Sequence, residues 1–178
     1  GGYYVWKPYI VLDTLKQMKN GDILIYLDAG CRIVDNDLTR KTYNKYLELL
    51  SNNPVITCLT AKRPRLPGYT RYYEYQWTKR DLFNHLDANE FSKEIQICSG
   101  FFLARKCNGS MRLVQDLLDT SLLYGCHFIR DTPSYESNYE GFVEHRHDQS
   151  VLSLLIRKQG HLVLEDQILA YDQEDGYP

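Results

Sequence analysis

Ile23-Leu24-Ile25-Tyr26-Leu27-Asp28-Ala29-Gly30-Cys31 is the stretch whose reading decides the fold. Five apolar or aromatic residues run without a break into one Asp, and a small-residue turn follows. That is the pattern of a buried strand with a carboxylate at its carboxyl end, where open α/β sheets bind their ligands. Upstream, residues 6–20 are helical in pattern. Lys7-Pro8 puts a proline in the first turn, Val11, Leu12, Leu15 and Met18 with Ile10 beside them form an apolar stripe, and Asp13, Lys16, Gln17 and Lys19 face away. Asn20-Gly21-Asp22 closes the helix with stop and turn chemistry.

Downstream, residues 38–50 form a second helical pattern with Tyr43, Tyr46, Leu47 and Leu50 on one face, ended by Asn52-Asn53-Pro54. Val55-Ile56-Thr57-Cys58-Leu59-Thr60 is β-branched and apolar, so strand, helix, strand predicts a parallel crossover. Residues 61–75 mix Lys62, Arg63, Arg65 and Arg71 with Pro, Gly and Tyr. They fit neither period and read as a long functional loop. A short helix is expected to about Leu86, with Thr78 and Asp81 spaced as a weak capping box. Residues 94–98 are a third strand that Ser99-Gly100 interrupts before Phe101-Phe102-Leu103-Ala104-Arg105, and a Gly in such a run marks a bulge or a close approach.

Residues 108–123 are a third helix with Leu113, Val114, Leu117 and Leu118 inward, and the polar stretch at 120–141 reads as a second loop on the active face. The strongly apolar helix carrying Val151, Leu152, Leu154, Leu155 and Ile156 ends near Lys158-Gln159-Gly160, residues 161–164 make a short strand, and residues 172–178 look frayed. The prediction is one α/β domain over residues 1–178, with a mostly parallel central sheet flanked by helices.

The totals exclude several classes. With 178 residues, 43% hydrophobic and 25% charged, the composition is that of a globular domain. Lys+Arg 21 against Asp+Glu 23, a net charge of -2, provides no field to hold nucleic acid or an anionic membrane. No apolar run approaches the roughly 20 residues that span a bilayer, and the first residues lack a signal-peptide layout. The expectation is a cytoplasmic protein with no nucleic-acid partner and no transmembrane segment. Cys31, Cys58, Cys98, Cys107 and Cys126 are odd in number with no Cys-x-x-Cys pair, so they read as reduced thiols, the first three as small buried hydrophobes in or beside strands. Fifteen Tyr and two Trp suit stacking on bases and sugars.

Asp28 is the first candidate for chemistry, since a carboxylate at a strand end can ligate Mg²⁺ or Mn²⁺ or hold a ribose hydroxyl; it could equally cap the turn. Glu144-His145-Arg146-His147-Asp148-Gln149 gathers acids, imidazoles and a guanidinium at a helix start, enough for a metal ligand, a base and a phosphate clamp. Lys79, Arg80 and Asp81 could bind a diphosphate, although a solvated helix surface carries the same residues, and Lys7 and Trp6 read alike. Serine-hydrolase, P-loop and dinucleotide fingerprints do not occur.

In order along the chain, Trp6-Lys7-Pro8-Tyr9-Ile10, residues 21–31, Trp77-Thr78-Lys79-Arg80-Asp81, residues 96–106 and Glu144-His145-Arg146-His147-Asp148-Gln149-Ser150 resemble a family of GT-A-type glycosyltransferases found in bacterial surface-polysaccharide clusters and large DNA viruses. The resemblance implies a Rossmann-like nucleotide-sugar domain that moves a sugar from a nucleotide-sugar donor to a glycan hydroxyl acceptor. Asp28 matches the first acid of the Asp-x-Asp motif, and Gly30 stands where the second would be. The resemblance assigns Lys7, Asp28, Ala29, Gly30, Lys79, Arg80 and Gln149 to the donor, Gln96, Ser99 and Gly100 to the acceptor, and Asp148 to the catalytic base or a sugar ligand. With Gly30 in the second position, a Mn²⁺ or Mg²⁺ ion would be held by Asp28 with His145 or His147, or would be dispensable. Family members carry a further strand-helix-strand before the Trp-Lys-Pro segment, so the chain is expected to lack it and to expose a sheet edge. Two rival readings are a non-catalytic carbohydrate-binding or assembly module on the same fold, and a metal-dependent hydrolase using Asp28, His145, His147 and Asp148.

Overall fold

Helix α1 (Trp6–Gln17) leads into strand β1 (Ile23–Leu27), helix α2 (Asp37–Leu50) and strand β2 (Val55–Leu59), close to the predicted order. The computed structural model describes residues 3–60 and 71–165. The expectations for residues 61–70 and 172–178 therefore lie outside the described residues. Two short helices, α3 (Glu74–Trp77) and α4 (Arg80–His85), precede the long strand β3 (Ile97–Arg105); α5 (Asn108–Cys126), α6 (His147–Lys158) and strand β4 (Leu162–Leu164) complete the described chain.

Local chemistry explains the boundaries. Asn36 caps α2 by accepting from the Thr39 amide at 2.8 Å. The dihedrals of α5 break at Leu123, and Tyr124 and Gly125 adopt left-handed conformations, where the sequence pattern ends. Thr78 does not cap α4: its hydroxyl donates to Glu74 at 2.9 Å, and Lys79 holds the cap position.

The four strands form one sheet in the order β1-β3-β2-β4. Here the prediction of a mostly parallel sheet fails. Strand β3 runs antiparallel to both β1 and β2, and only β2 with β4 is parallel. The crossover through α2 does return β2 in the direction of β1, but β3 lies between them. The structure is thus a mixed α/β sheet flanked by helices. Strand β1, expected to be buried, is an edge among the described residues, and Ile25 is 40% exposed.

Alternate residues of β3 face opposite layers, as the pleat requires. Phe102 and Ala104 pack with Val11, Leu12 and Leu15 of α1, Leu113 and Leu117 of α5 and the apolar face of α6, whereas Phe101 and Leu103 meet Tyr46 and Leu50 of α2. No helix among the described residues is long and apolar enough to cross a membrane.

Candidate functional site

The carboxyl end of β1, the middle of β3, the first turn of α1 and the first turn of α6 converge on one ammonium group. Lys7 follows the exposed Trp6 but lies on the inward face of α1, and its side chain is 4% exposed. Its Nζ is 2.7 Å from Asp148 Oδ2 and 3.5 Å from Asp28 Oδ1, and it donates to the Ser99 hydroxyl at 3.3 Å and the Ser99 carbonyl at 3.4 Å. The rings of Tyr26 and Tyr4 flank it, with centroids at 5.2 and 5.8 Å. A buried cation needs such pairing, because desolvating it alone costs several kcal/mol, on the order of the whole stability margin.

Each carboxylate is held differently. Asp28 remains half exposed at the strand end, accepts from the Tyr26 hydroxyl at 2.8 Å, and pairs its amide with the Gly100 carbonyl at 2.9 Å. Ala29 and Gly30 are exposed in the turn that the Cys31 amide closes on the Asp28 carbonyl. Asp148, in the first turn of α6, is buried. Burial pushes its carboxyl upward, opposed by the Lys7 ammonium and by a hydrogen bond from Ser99. His147 sits at φ 46, a left-handed conformation that turns the chain into α6 and aims Asp148 inward.

Gly100 is a glycine for a steric reason. A Cβ there would stand 2.8 Å from Asp28 Oδ2 and 3.3 Å from its Cγ, so Ser99-Gly100 marks a close approach as well as a bulge. Gly100→Ala is expected to swing the half-exposed Asp28 carboxylate off Lys7, and because the near atom is the end of a side chain the loss of stability should stay below about 1 kcal/mol. Urea denaturation checks it, and a loss of several kcal/mol would show that the carboxylate cannot move away.

Gln149 donates to Gln96 Oε1, and the Gln96 amide lies within hydrogen-bonding distance of Glu74, Trp77, Thr78 and Ser150. Gln96 is fully buried, so this candidate acceptor ligand instead positions Gln149. Glu74 anchors the network, accepting from Thr78, Gln96 and Ser153. Burial pushes its carboxyl from the usual 4.5 up to about 7. The folded state therefore binds this proton more tightly than the unfolded chain. The stabilisation is complete below about 4.5 and is lost as pH rises through about 7. Between about pH 5 and pH 8, the unfolding free energy of Glu74→Gln should gain on the parent by on the order of 2–3 kcal/mol. A gap that does not move with pH would contradict it.

The remaining candidates lie elsewhere. The Lys79 ammonium is buried and donates to the carbonyls of His127, Arg130 and Thr132 at 2.9–3.0 Å, so it ties down a loop and presents no charge to a diphosphate. Arg80 stacks its guanidinium 4.1 Å from the Tyr139 ring centroid. Asp81 holds buried His127 at 2.7 Å. His145 accepts from the Lys79 amide at Nδ1 and donates from Nε2 to the Phe128 carbonyl, which leaves neither nitrogen for a metal; burial pushes its pKa down to about 3. His147 Nε2 pairs with Asp131 at 2.8 Å.

These residues do not fit the expected divalent cation. Gly30 offers no second carboxylate, His145 has no open nitrogen, Lys7 already occupies the space between Asp28 and Asp148, and no group of three candidate ligands occurs among the described residues. Of the residues named for a metal-dependent hydrolase, His145 has no open nitrogen, His147 Nε2 pairs with Asp131, and Asp28 and Asp148 share Lys7. Tyr26, which the sequence marked only as a strand residue, joins the site; its place two residues before Asp28, on the same face of β1, was the available signal.

Two surface concavities, of about 340 Å³ beside His127 and Thr132 and about 410 Å³ beside Asn20 and Lys106, do not include the Lys7 cluster. The cluster is a carboxylate-lysine-carboxylate array at a strand end, able to hold hydroxyls through Asp28 and to accept a proton at Asp148, with Lys7 fixing both carboxylates. Compared with known proteins, the chain matches no family model, no curated protein and no solved structure.

Proposed function

We propose that this chain is a GT-A-like glycosyltransferase that moves a sugar from a nucleotide-sugar donor to a glycan hydroxyl at the Lys7-Asp28-Asp148 cluster. The observation that carries the reading is the buried Lys7 ammonium bridging two carboxylates at the carboxyl end of β1. Asp28, half exposed, holds donor hydroxyls. Asp148 takes the proton from the acceptor hydroxyl as the new glycosidic bond forms, and its raised pKa makes it a better base than an ordinary carboxylate. Lys7, buried between the two carboxylates, holds both in place for that step. Ser99 and Gln149 orient the acceptor and donor sugar around them.

Because Asp148 must be ionised to act, turnover is expected to fall as pH drops, with an acid limb above the ordinary carboxylate range. A flat profile from about pH 4 to pH 8 would remove Asp148 from the role. Titration calorimetry of UDP, GDP and dTDP, each with Mn²⁺ and with chelator, tests the donor site. Binding of one nucleotide under both conditions, weakened at least about tenfold in Asp28→Ala, is the expected result. Binding only with Mn²⁺ or Mg²⁺ would return a cation to the reading with Asp28 as its ligand. Binding of glycan without any nucleotide would favour the carbohydrate-binding or assembly module, a reading supported by the fact that Asp148 is already neutralised by Lys7.

A further inference from the structure

Strands β2 and β3 pair Leu59 with Ile97, and the Thr60 amide donates to the Gln96 carbonyl in the same register. Carried one step further, that register sets Cys58 opposite Cys98, at the irregularity between Thr57 and Leu59. The layers agree: Leu59 and Ile97 pack on the α1, α5 and α6 side, Cys58 and Cys98 on the α2 side. Pairing resumes at Thr57 with Phe102, so a single β2 residue, Cys58, faces residues 98–101 of β3. The Cys pair is thus the last rung before the bulge that carries Ser99 and Gly100 to Lys7 and Asp28.

The Cys58 thiol and the amides of Gly100 and Phe101 pull the Cys98 thiol down, against the burial that raises it. None of the five cysteines is in a disulfide. Directly opposed residues of an antiparallel pair have Cα atoms about 4.5–5.5 Å apart, inside the roughly 4.4–6.8 Å window that a disulfide spans. Cys98 is half-buried and Cys58 fully buried, so a small oxidant reaches Cys98 first. The Cys98 thiol lies below the usual thiol range, which favours the reactive thiolate.

We propose that Cys58 and Cys98 are a site of reversible oxidation, in which hydrogen peroxide converts the pair into a cross-strand disulfide at the root of the Ser99-Gly100 bulge. The Cys98 thiolate attacks the peroxide oxygen, the O–O bond breaks, and hydroxide leaves as water after protonation, giving a sulfenic acid. The Cys58 sulfur then attacks that of Cys98, the S–O bond breaks, and a second water departs. Two thiols are oxidised and one peroxide is reduced, and an external dithiol reverses the step by exchange. This inference is independent of the glycosyl-transfer reading, because it concerns the strand pair alone.

The test treats the reduced full chain with a slight excess of hydrogen peroxide, blocks remaining thiols with N-ethylmaleimide and maps peptides without reduction. The expected result is a Cys58–Cys98 linkage as the dominant product, reversed by dithiothreitol, with Cys31, Cys107 and Cys126 alkylated. Cys58→Ala should stop at the Cys98 sulfenic acid, trapped by dimedone, and Cys98→Ala should leave Cys58 unoxidised. In the parent chain, which avoids any folding defect of the variants, dimedone added with the peroxide should lower the disulfide yield. Full alkylation of both cysteines after treatment, or a dominant link from Cys98 to Cys31, would overturn the proposal.

Discussion

Asp148→Asn is expected to lower donor turnover by about 10²–10⁴-fold, the range for loss of a general base, while changing nucleotide affinity only a few-fold. The substitution keeps the shape of the side chain and removes its negative charge. Lys7 then retains Asp28 and both Ser99 oxygens as partners, so the array keeps its place. What is lost is the acceptor for the hydroxyl proton. Turnover at the parent rate would transfer the base to another group, and equal loss of nucleotide binding and turnover would make Asp148 a binding residue. Single-turnover measurements at saturating donor separate the two.

The largest expected change in stability comes from the other end of the pair. Lys7→Met keeps the bulk of the stem and removes the charge that compensates buried Asp148, and breaking a buried pair from one side costs about 3–5 kcal/mol. The loss depends on pH with a definite sign. Without Lys7, the pull that holds the Asp148 carboxyl down is gone while the burial that raises it remains. The folded variant therefore prefers the neutral acid, so the destabilisation is greatest above the raised pKa and shrinks as pH falls through it. Adding Asp148→Asn to Lys7→Met removes the unpaired carboxylate and should recover much of the loss. A double-mutant cycle with additive penalties would show that the pair is not coupled.

Much of this array was legible in the sequence, for particular reasons. Asp28 was marked by an apolar run ending in a small-residue turn, Gly100 by its interruption of a strand, and Asp148 by its place at the start of an apolar helix. The burial of Lys7 was not legible, because a lysine beside an exposed Trp6 reads as solvated, and its two carboxylates come from β1 and α6. Lys79 and His145 misled for the opposite reason: cation and imidazole in a polar cluster suggest ligand chemistry, but backbone carbonyls and an amide take up their polar atoms. Strand direction was equally hidden. The apolar run of β3 has the composition of a buried parallel strand, yet a strand covered on both faces by helices has that composition whichever way it runs.

The most direct measurement of the central claim is the release of free nucleotide from UDP-, GDP- and dTDP-sugars by the purified chain in the presence of glycan acceptors, beside Asp148→Asn and Lys7→Met. The account predicts release from one nucleotide class, coupled to acceptor glycosylation and lost in Asp148→Asn even though that variant still binds the nucleotide. Tight nucleotide-sugar binding with no release by the folded parent chain across the acceptor panel, or release that persists in Asp148→Asn, would contradict it.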